Sequence, residues 1–200
     1  MDDKLKSQLR FLAEADKMKG IFRQTWLTDK SRQENDAEHS WHFALTAMVL
    51  FEYCGIDGVD IDRVNKMALV HDLVEIYAGD TFAYDVIGNE TKEARESESA
   101  DRLFSMLPRG QAEEYRSLWE EFDEMKTPDA IYASAIDRLQ SLHNINLSGG
   151  ITWKLHAVTA DKIYKRMAPI KTALPALWEY VATAVDEGLD KGYIKPGTTN

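Results

Sequence analysis

The sequence predicts an all-α fold, a single-domain bundle of seven or eight helices. Three observations predict it. Apolar residues recur three and four apart along most of the chain, capping residues and glycines fall where those stripes begin and end, and no strand of convincing length appears.

Leu5, Leu9, Leu12 and Ala15 or Asp16 form the first stripe, a helix that ends near Gly20. The period then stops, and Ile21 to Glu34 reads as a polar loop. In it Trp26 is a core anchor or a binding residue, and Arg23 a surface charge or a ligand-binding cation. Asn35-Asp36-Ala37-Glu38 has the form of a capping box, which satisfies two helix-start N–H groups reciprocally, and it opens an apolar helix from His39 to Cys54 that Gly55 closes. The next helix covers Ile61 to Ala78, with Met67, Ala68, Val70, Leu73, Val74 and Ile76 at helical intervals and Gly79 past its end. Thr81 to Gly88 is irregular. A charged helix follows from about Glu90 to Leu107, with Lys92 to Glu98 as a solvated face, and Pro108 and Gly110 stop it. Ala112 to Met125 then carries Tyr115, Leu118, Trp119 and Phe122 on one side. Thr127-Pro128-Asp129 supplies an N-cap, a first-turn proline and an acid that complements the helix dipole. It opens a helix through Ile131, Ala135, Ile136, Leu139 and Leu142. Beyond Gly149-Gly150, Trp153, Tyr164, Leu174, Leu177, Trp178 and Val181 mark two further helices, which complete the bundle or form a subunit contact.

Two hundred residues enclose a core without disulfides or a structural metal, so one domain over 1–200 suffices. With 34 acidic against 24 basic residues the net charge is -10, which repels polyanions at long range and argues against a nucleic-acid polymer as partner. A small anion held by local cations stays possible. Cys54 is the one cysteine, so no internal disulfide forms. No secretion signal is visible and no apolar run approaches the ~20 residues of a membrane span. A cytoplasmic protein is expected.

Chemistry concentrates in Val70 to Asp80. His71, Asp72 and Glu75 are spaced to point toward one side of a helix, and Asp80 follows just past its end. An unpaired carboxylate on a buried face costs several kcal/mol or more, which a bound cation removes. A His-Asp pair alone equally describes a hydrogen-bonded helix pair, so the remaining donors decide. His39 lies in the first turn of one apolar helix. Asp137 lies on or beside the apolar stripe of another, and Arg138 does not answer it, because consecutive helical residues point about 100° apart. His42, one turn from His39, is a ligand, a partner of a ligand, or packed. Two imidazoles and two carboxylates suit one divalent first-row ion, Mn, Fe, Co, Ni or Zn. Four protein ligands leave positions open, as hydrolysis by metal-activated water requires.

His39, His71-Asp72 and Asp137 on an all-helical chain resemble the HD-domain superfamily of metal-dependent phosphohydrolases. Glu38-His39-Ser40, His71-Asp72-Leu73-Val74-Glu75 running on to Gly79-Asp80, and Asp137-Arg138-Leu139 are similar to the bacterial 5'-deoxynucleotidases and their eukaryotic HD-domain-containing relatives. The resemblance covers residues 23–139, within a metal-site core of about 20–145, and leaves 151–192 as the C-terminal helices. It implies that His39, His71, Asp72 and Asp137 hold the metal. It further implies that Glu75 orients or deprotonates the attacking water and passes a proton to the leaving group, that Asp80 faces the 3'-hydroxyl, and that Arg23 binds the phosphate. Trp26 is a looser match for a binding role, standing three residues after the arginine. The implied activity is a phosphomonoesterase for (deoxy)nucleoside 5'-monophosphates, and a homodimer is expected.

Residues 73–136 contain no histidine, which disfavours the two-metal members of the superfamily, and Ile76 after Glu75 departs from its guanosine-tetraphosphate hydrolases. From another class, a regulatory module would keep fold and metal without turnover. Glu75 and Asp80 argue against it. His143 and His156 read as structural.

Overall fold

The computed structural model describes residues 2–197. Among these residues there are eleven α-helices: α1 Asp3–Ala15, α2 Asp36–Val49, α3 Ile61–Val70, α4 Glu75–Ala78, α5 Val86–Glu90, α6 Lys92–Phe104, α7 Arg109–Glu124, α8 Pro128–Leu147, α9 Ile151–Leu155, α10 Ala160–Ala173 and α11 Trp178–Asp190. The count exceeds the expected seven or eight because one expected helix divides and several short helices fall in stretches with no readable period.

Helix α8 is the axis. Thr127 caps it by accepting from the Ala130 N–H at 3.2 Å, and Pro128 sits in its first turn. Ala130, Ala133 and Ala135 are fully buried and small, which lets neighbouring helices approach closely, and α2, α3, α7 and α10 pack around it. Where a polar group enters this core it is matched: the Tyr132 hydroxyl donates to the Ala47 carbonyl at 2.8 Å. The capping box that opens α2 is present with both of its hydrogen bonds. Trp153, Ile163 and Ile170 are buried, and α9, α10 and α11 lie against α8, so 151–190 carries three α-helices where two were expected.

Three segments depart from the sequence reading. First, 21–34 is not a loop: Phe22–Trp26 (β1) and Gln33–Asn35 (β2) form a two-stranded antiparallel ribbon with Phe22 opposite Asn35 and Trp26 opposite Gln33. An isolated two-stranded ribbon is marginal in water, and this one is held by tertiary contacts. It packs on α8 and α9, and the Thr152 hydroxyl donates to the Gln24 carbonyl at 2.6 Å. Second, the expected helix 61–78 breaks. After Val70 the chain tightens into i→i+3 bonds, Leu73 N–H to Val70 O at 3.1 Å, Glu75 N–H to Asp72 O at 2.9 Å and Ile76 N–H to Leu73 O at 3.3 Å, before α4 begins. In this tighter winding residues three apart eclipse, so Asp72 and Glu75 still share a side. Third, Lys92 to Glu98 is not wholly a solvated face: Glu96 is buried and pairs with Lys92 at 3.5 Å.

Candidate metal centre

His39 lies in the first turn of α2, His71 caps α3, Asp72 follows in the tight turn, and Asp137 lies in the middle of α8. The fold brings the four together. His39 Nε2 stands 3.0 Å from Asp137 Oδ1 and 3.8 Å from Asp72 Oδ2, and His71 Nε2 stands 3.0 Å from the same Asp72 oxygen. Donor atoms of His39, His71 and Asp72 all lie within 4.8 Å of one another.

Hydrogen bonding on the far side of each ring defines what these nitrogens present. His71 Nδ1 faces the Ala68 carbonyl at 3.0 Å, a group that only accepts, so the proton is on Nδ1 and the Nε2 lone pair points inward. His39 Nδ1 faces Gln140 Oε1 at 2.8 Å. Which end of the Gln140 amide is oxygen is set by Glu34, whose carboxylate accepts from Gln140 Nε2 at 2.9 Å and from Asn144 Nδ2 at 3.1 Å. Two buried Nε2 lone pairs therefore meet two aspartate oxygens, acceptor against acceptor, and neither nitrogen has a hydrogen-bond partner. A cation between them resolves the conflict. Donors arranged at right angles around a divalent ion with bonds of about 2.1 Å are about 3.0 Å apart, the spacing seen here. The residues fit a divalent metal.

Electrostatics agree. Burial works against charge on His71, but the adjoining Asp72 carboxylate outweighs it and raises the imidazole above its usual range. Burial likewise opposes ionised Asp72, yet His71 and Arg23 hold it well below the ordinary carboxylate range. Asp137 is lowered against its own burial, chiefly by His39. The cluster favours positive charge at its centre.

The Glu34–Gln140–His39 chain was invisible in the sequence, because Glu34 closes a stretch read as a loop and nothing local singles out Gln140 on its helix. Gln140 Nε2 also stands 3.0 Å from His42 Nδ1, so His42 is a partner of this chain and not a ligand. Replacing Gln140 by leucine removes the group that aims His39 and is expected to weaken metal affinity about 10- to 100-fold, read by titrating metal-free protein with Mn2+.

A cavity of about 160 Å³ opens over His71, Asp72 and Asp137, and Arg23, Glu75, Asp80, Lys92 and Arg166 help line it. Arg23 arrives on β1 and donates to Asp72 Oδ2 at 2.5 Å, with Asp36 Oδ1 at 3.5 Å. Its Nε–H is buried without an acceptor. Glu75, Asp80 and Asp36 form a second group whose oxygens lie within 4.8 Å of one another. Burial raises the Glu75 carboxyl well above its usual range, assisted by Asp72 and Asp36, and pushes Asp36 up to about 8. Gly79, at φ 76°, ends α4 in a conformation that suits glycine and brings Asp80 back to the cavity. Trp26 is not on the cavity wall, so the structure does not join it to the other expected site residues.

A second cleft of about 410 Å³ shares Gln24, Asp80, Thr81, Phe82 and Tyr84 with the first. His156, read as structural, lines this cleft with its ring centroid 4.2 Å from that of Phe82. His143 contacts the Tyr180 hydroxyl at 2.7 Å, away from the centre.

Fold and donor set define a class: an all-helical bundle with buried histidines and carboxylates suited to a divalent metal. The chain belongs to the HD-domain family, whose model matches residues 15–178. It is similar to the 5'-deoxynucleotidase HDDC2 of Homo sapiens, 30% identical over 68% of this chain and 66% of that protein, and to the Dictyostelium discoideum protein of the same name, 29% identical over 69% and 75%. The match thus spans just under two thirds of the human relative. Among solved structures, a predicted metal-dependent phosphohydrolase from Magnetospirillum magnetotacticum MS-1 superposes with a TM-score of 0.90 at 47% identity, over 98% of this chain and 100% of that one. A conserved hypothetical protein from Pyrococcus furiosus shares the fold at a TM-score of 0.58 and 21% identity, over 87% of this chain and 99% of that one.

Proposed function

We propose that this protein is a metal-dependent phosphohydrolase that releases phosphate from (deoxy)nucleoside 5'-monophosphates. The observation that carries the reading is the pair of unpartnered histidine nitrogens facing two aspartate oxygens at 3.0 Å, with His71, Asp72 and Asp137 lining a cavity that also presents the Glu75 carboxyl and the Arg23 guanidinium. His39, His71, Asp72 and Asp137 hold one divalent transition metal, Mn, Co, Fe, Ni or Zn. When bound, the ion supplies Lewis-acid stabilisation of phosphoryl oxygens and acidifies water.

The remaining work belongs to side chains. Arg23, with a buried Nε–H lacking an acceptor, binds a phosphoryl oxygen and neutralises charge that builds up in transfer. Glu75 takes the proton of the attacking water and returns it to the leaving 5'-oxygen, and burial among Asp72 and Asp36 raises its affinity for that proton. Asp80, between the two cavities, accepts from the sugar hydroxyl. The smaller cavity suits a phosphate group, and the adjoining cleft, walled by the Phe82, Tyr84 and His156 rings, has room for a nucleoside. The two together reach the volume of ordinary small-molecule sites, a few hundred Å³.

The test is a panel of ribo- and deoxyribonucleoside monophosphates assayed with Mn2+, Co2+ and Mg2+. Phosphate release from 5'- but not 3'-isomers is expected. Tight nucleotide binding without release would instead establish a regulatory module.

The protein acts as a homodimer in the cytoplasm. Supporting the dimer, Trp41, Leu45 and Met48 recur at helical spacing on α2 and are exposed. They offer a contact in place of the C-terminal aromatics, of which Trp153 is in the core. Supporting the location, Cys54 has no cysteine partner, and among the described residues no helix is long and apolar enough to cross a membrane. Light scattering that returns a monomer mass would overturn the dimer.

A further inference from the structure

We propose that Arg166, on α10, is a second phosphate-binding cation that acts together with Arg23. The inference rests on the hydrolase reading and extends its binding site to the C-terminal part of the chain. Ile163, Met167 and Ile170 bury one face of α10 against α8, and Arg166, next to Met167, is thereby carried to the cavity wall. Its side chain keeps 29% exposure, and Nη2 stands 4.0 Å from Asp137 Oδ2, beyond hydrogen-bond reach. The other Asp137 oxygen faces away from Arg166 toward the metal centre, 3.0 Å from His39 Nε2. Among the described residues the Arg166 guanidinium makes no hydrogen bond within the protein. Arg138, the neighbouring cation, is occupied elsewhere, donating to the Arg166 carbonyl at 2.9 Å and so anchoring this turn of α10.

Charge balance gives this arginine a task. The cavity wall presents the carboxylates of Asp72, Glu75, Asp80 and Asp137 and the cations Arg23, Lys92 and Arg166. Arg23 already faces Asp72 and Asp36, so a dianionic phosphate calls for further positive charge on this wall, from Lys92 or Arg166. Lys92 already faces Glu96 at 3.5 Å, whereas Arg166 has only the distant Asp137 oxygen, so Arg166 is the more available of the two. A planar guanidinium also grips two phosphate oxygens at once, which an ammonium cannot.

The experiment compares metal-loaded wild type, Arg166→Ala and Arg166→Lys by metal content, by calorimetric titration with inorganic phosphate, and by kcat and KM for a nucleoside 5'-monophosphate. Arg166→Ala is expected to keep its metal, to bind phosphate about 10- to 100-fold more weakly and to raise KM in step, the size of one charge-assisted hydrogen-bond pair. Arg166→Lys recovers part of both. Unchanged phosphate affinity in Arg166→Ala with metal retained overturns the proposal, and so does loss of the metal, which would make Arg166 a partner of Asp137 only. Wild type that binds phosphate yet hydrolyses no monophosphate overturns the hydrolase reading alone, because the Arg166 effect on phosphate affinity is read without turnover.

Discussion

Replacing Glu75 by glutamine is expected to lower kcat about 10²- to 10⁴-fold while metal content and KM change little, the range that loss of a positioned general acid–base gives. The expectation follows from where the side chain sits. Glu75 is 4% exposed, lines the cavity beside Asp72, and one of its oxygens has no hydrogen-bond partner. It takes no part in the His39, His71 and Asp72 donor group, so glutamine, nearly the same shape, leaves the metal seated and removes only the proton acceptor. Metal content by elemental analysis together with steady-state kinetics on the same preparation decides the matter. Full turnover by metal-replete Glu75→Gln or Glu75→Ala would take the role from this residue.

Asp72→Ala is expected to abolish metal binding and with it all activity. One oxygen of Asp72 stands 3.0 Å from His71 Nε2, 3.8 Å from His39 Nε2 and 2.5 Å from Arg23 Nη1, so its loss removes a donor and leaves a guanidinium 12% exposed without its closest partner. His71→Ala should match it in metal content. Thermal melting supplies a readout independent of substrate. A metal present at 1,000 times its dissociation constant stabilises the folded state by about 4 kcal/mol, which for a chain of this size moves Tm by roughly 8–16 °C. Wild type should show that rise on adding Mn2+ and Asp72→Ala should show none. An Asp72→Ala protein that still gains several degrees with Mn2+ would show the ion to be held elsewhere.

Much of this centre was legible before folding because its signals are local. His39 was marked by the four-residue capping box just before it, His71-Asp72 by polar groups inside an apolar period, and Asp137 by a carboxylate on a core stripe with no neighbour able to answer it. Glu34 and Gln140 carried no such mark. They lie 106 positions apart and acquire meaning only through the 2.9 Å hydrogen bond between them. Arg166 carried no mark in the sequence, and only the packing of α10 on α8 sets it beside Asp137. The ribbon was missed for a related reason: five and three residues pair weakly by themselves, and contacts from α8 and α9 hold them.

By itself, then, the amino-acid order determined the long helices and their caps and which four side chains are out of place in an apolar setting, since these depend on neighbours within one or two turns, whereas the break after Val70 and the short helices did not show in it. Tertiary structure alone decided that the four meet around one point, which nitrogen of each imidazole faces inward, and which distant cations share the cavity. Those outcomes depend on distances of a few ångströms between residues far apart along the chain, and such distances exist only once the helices have packed.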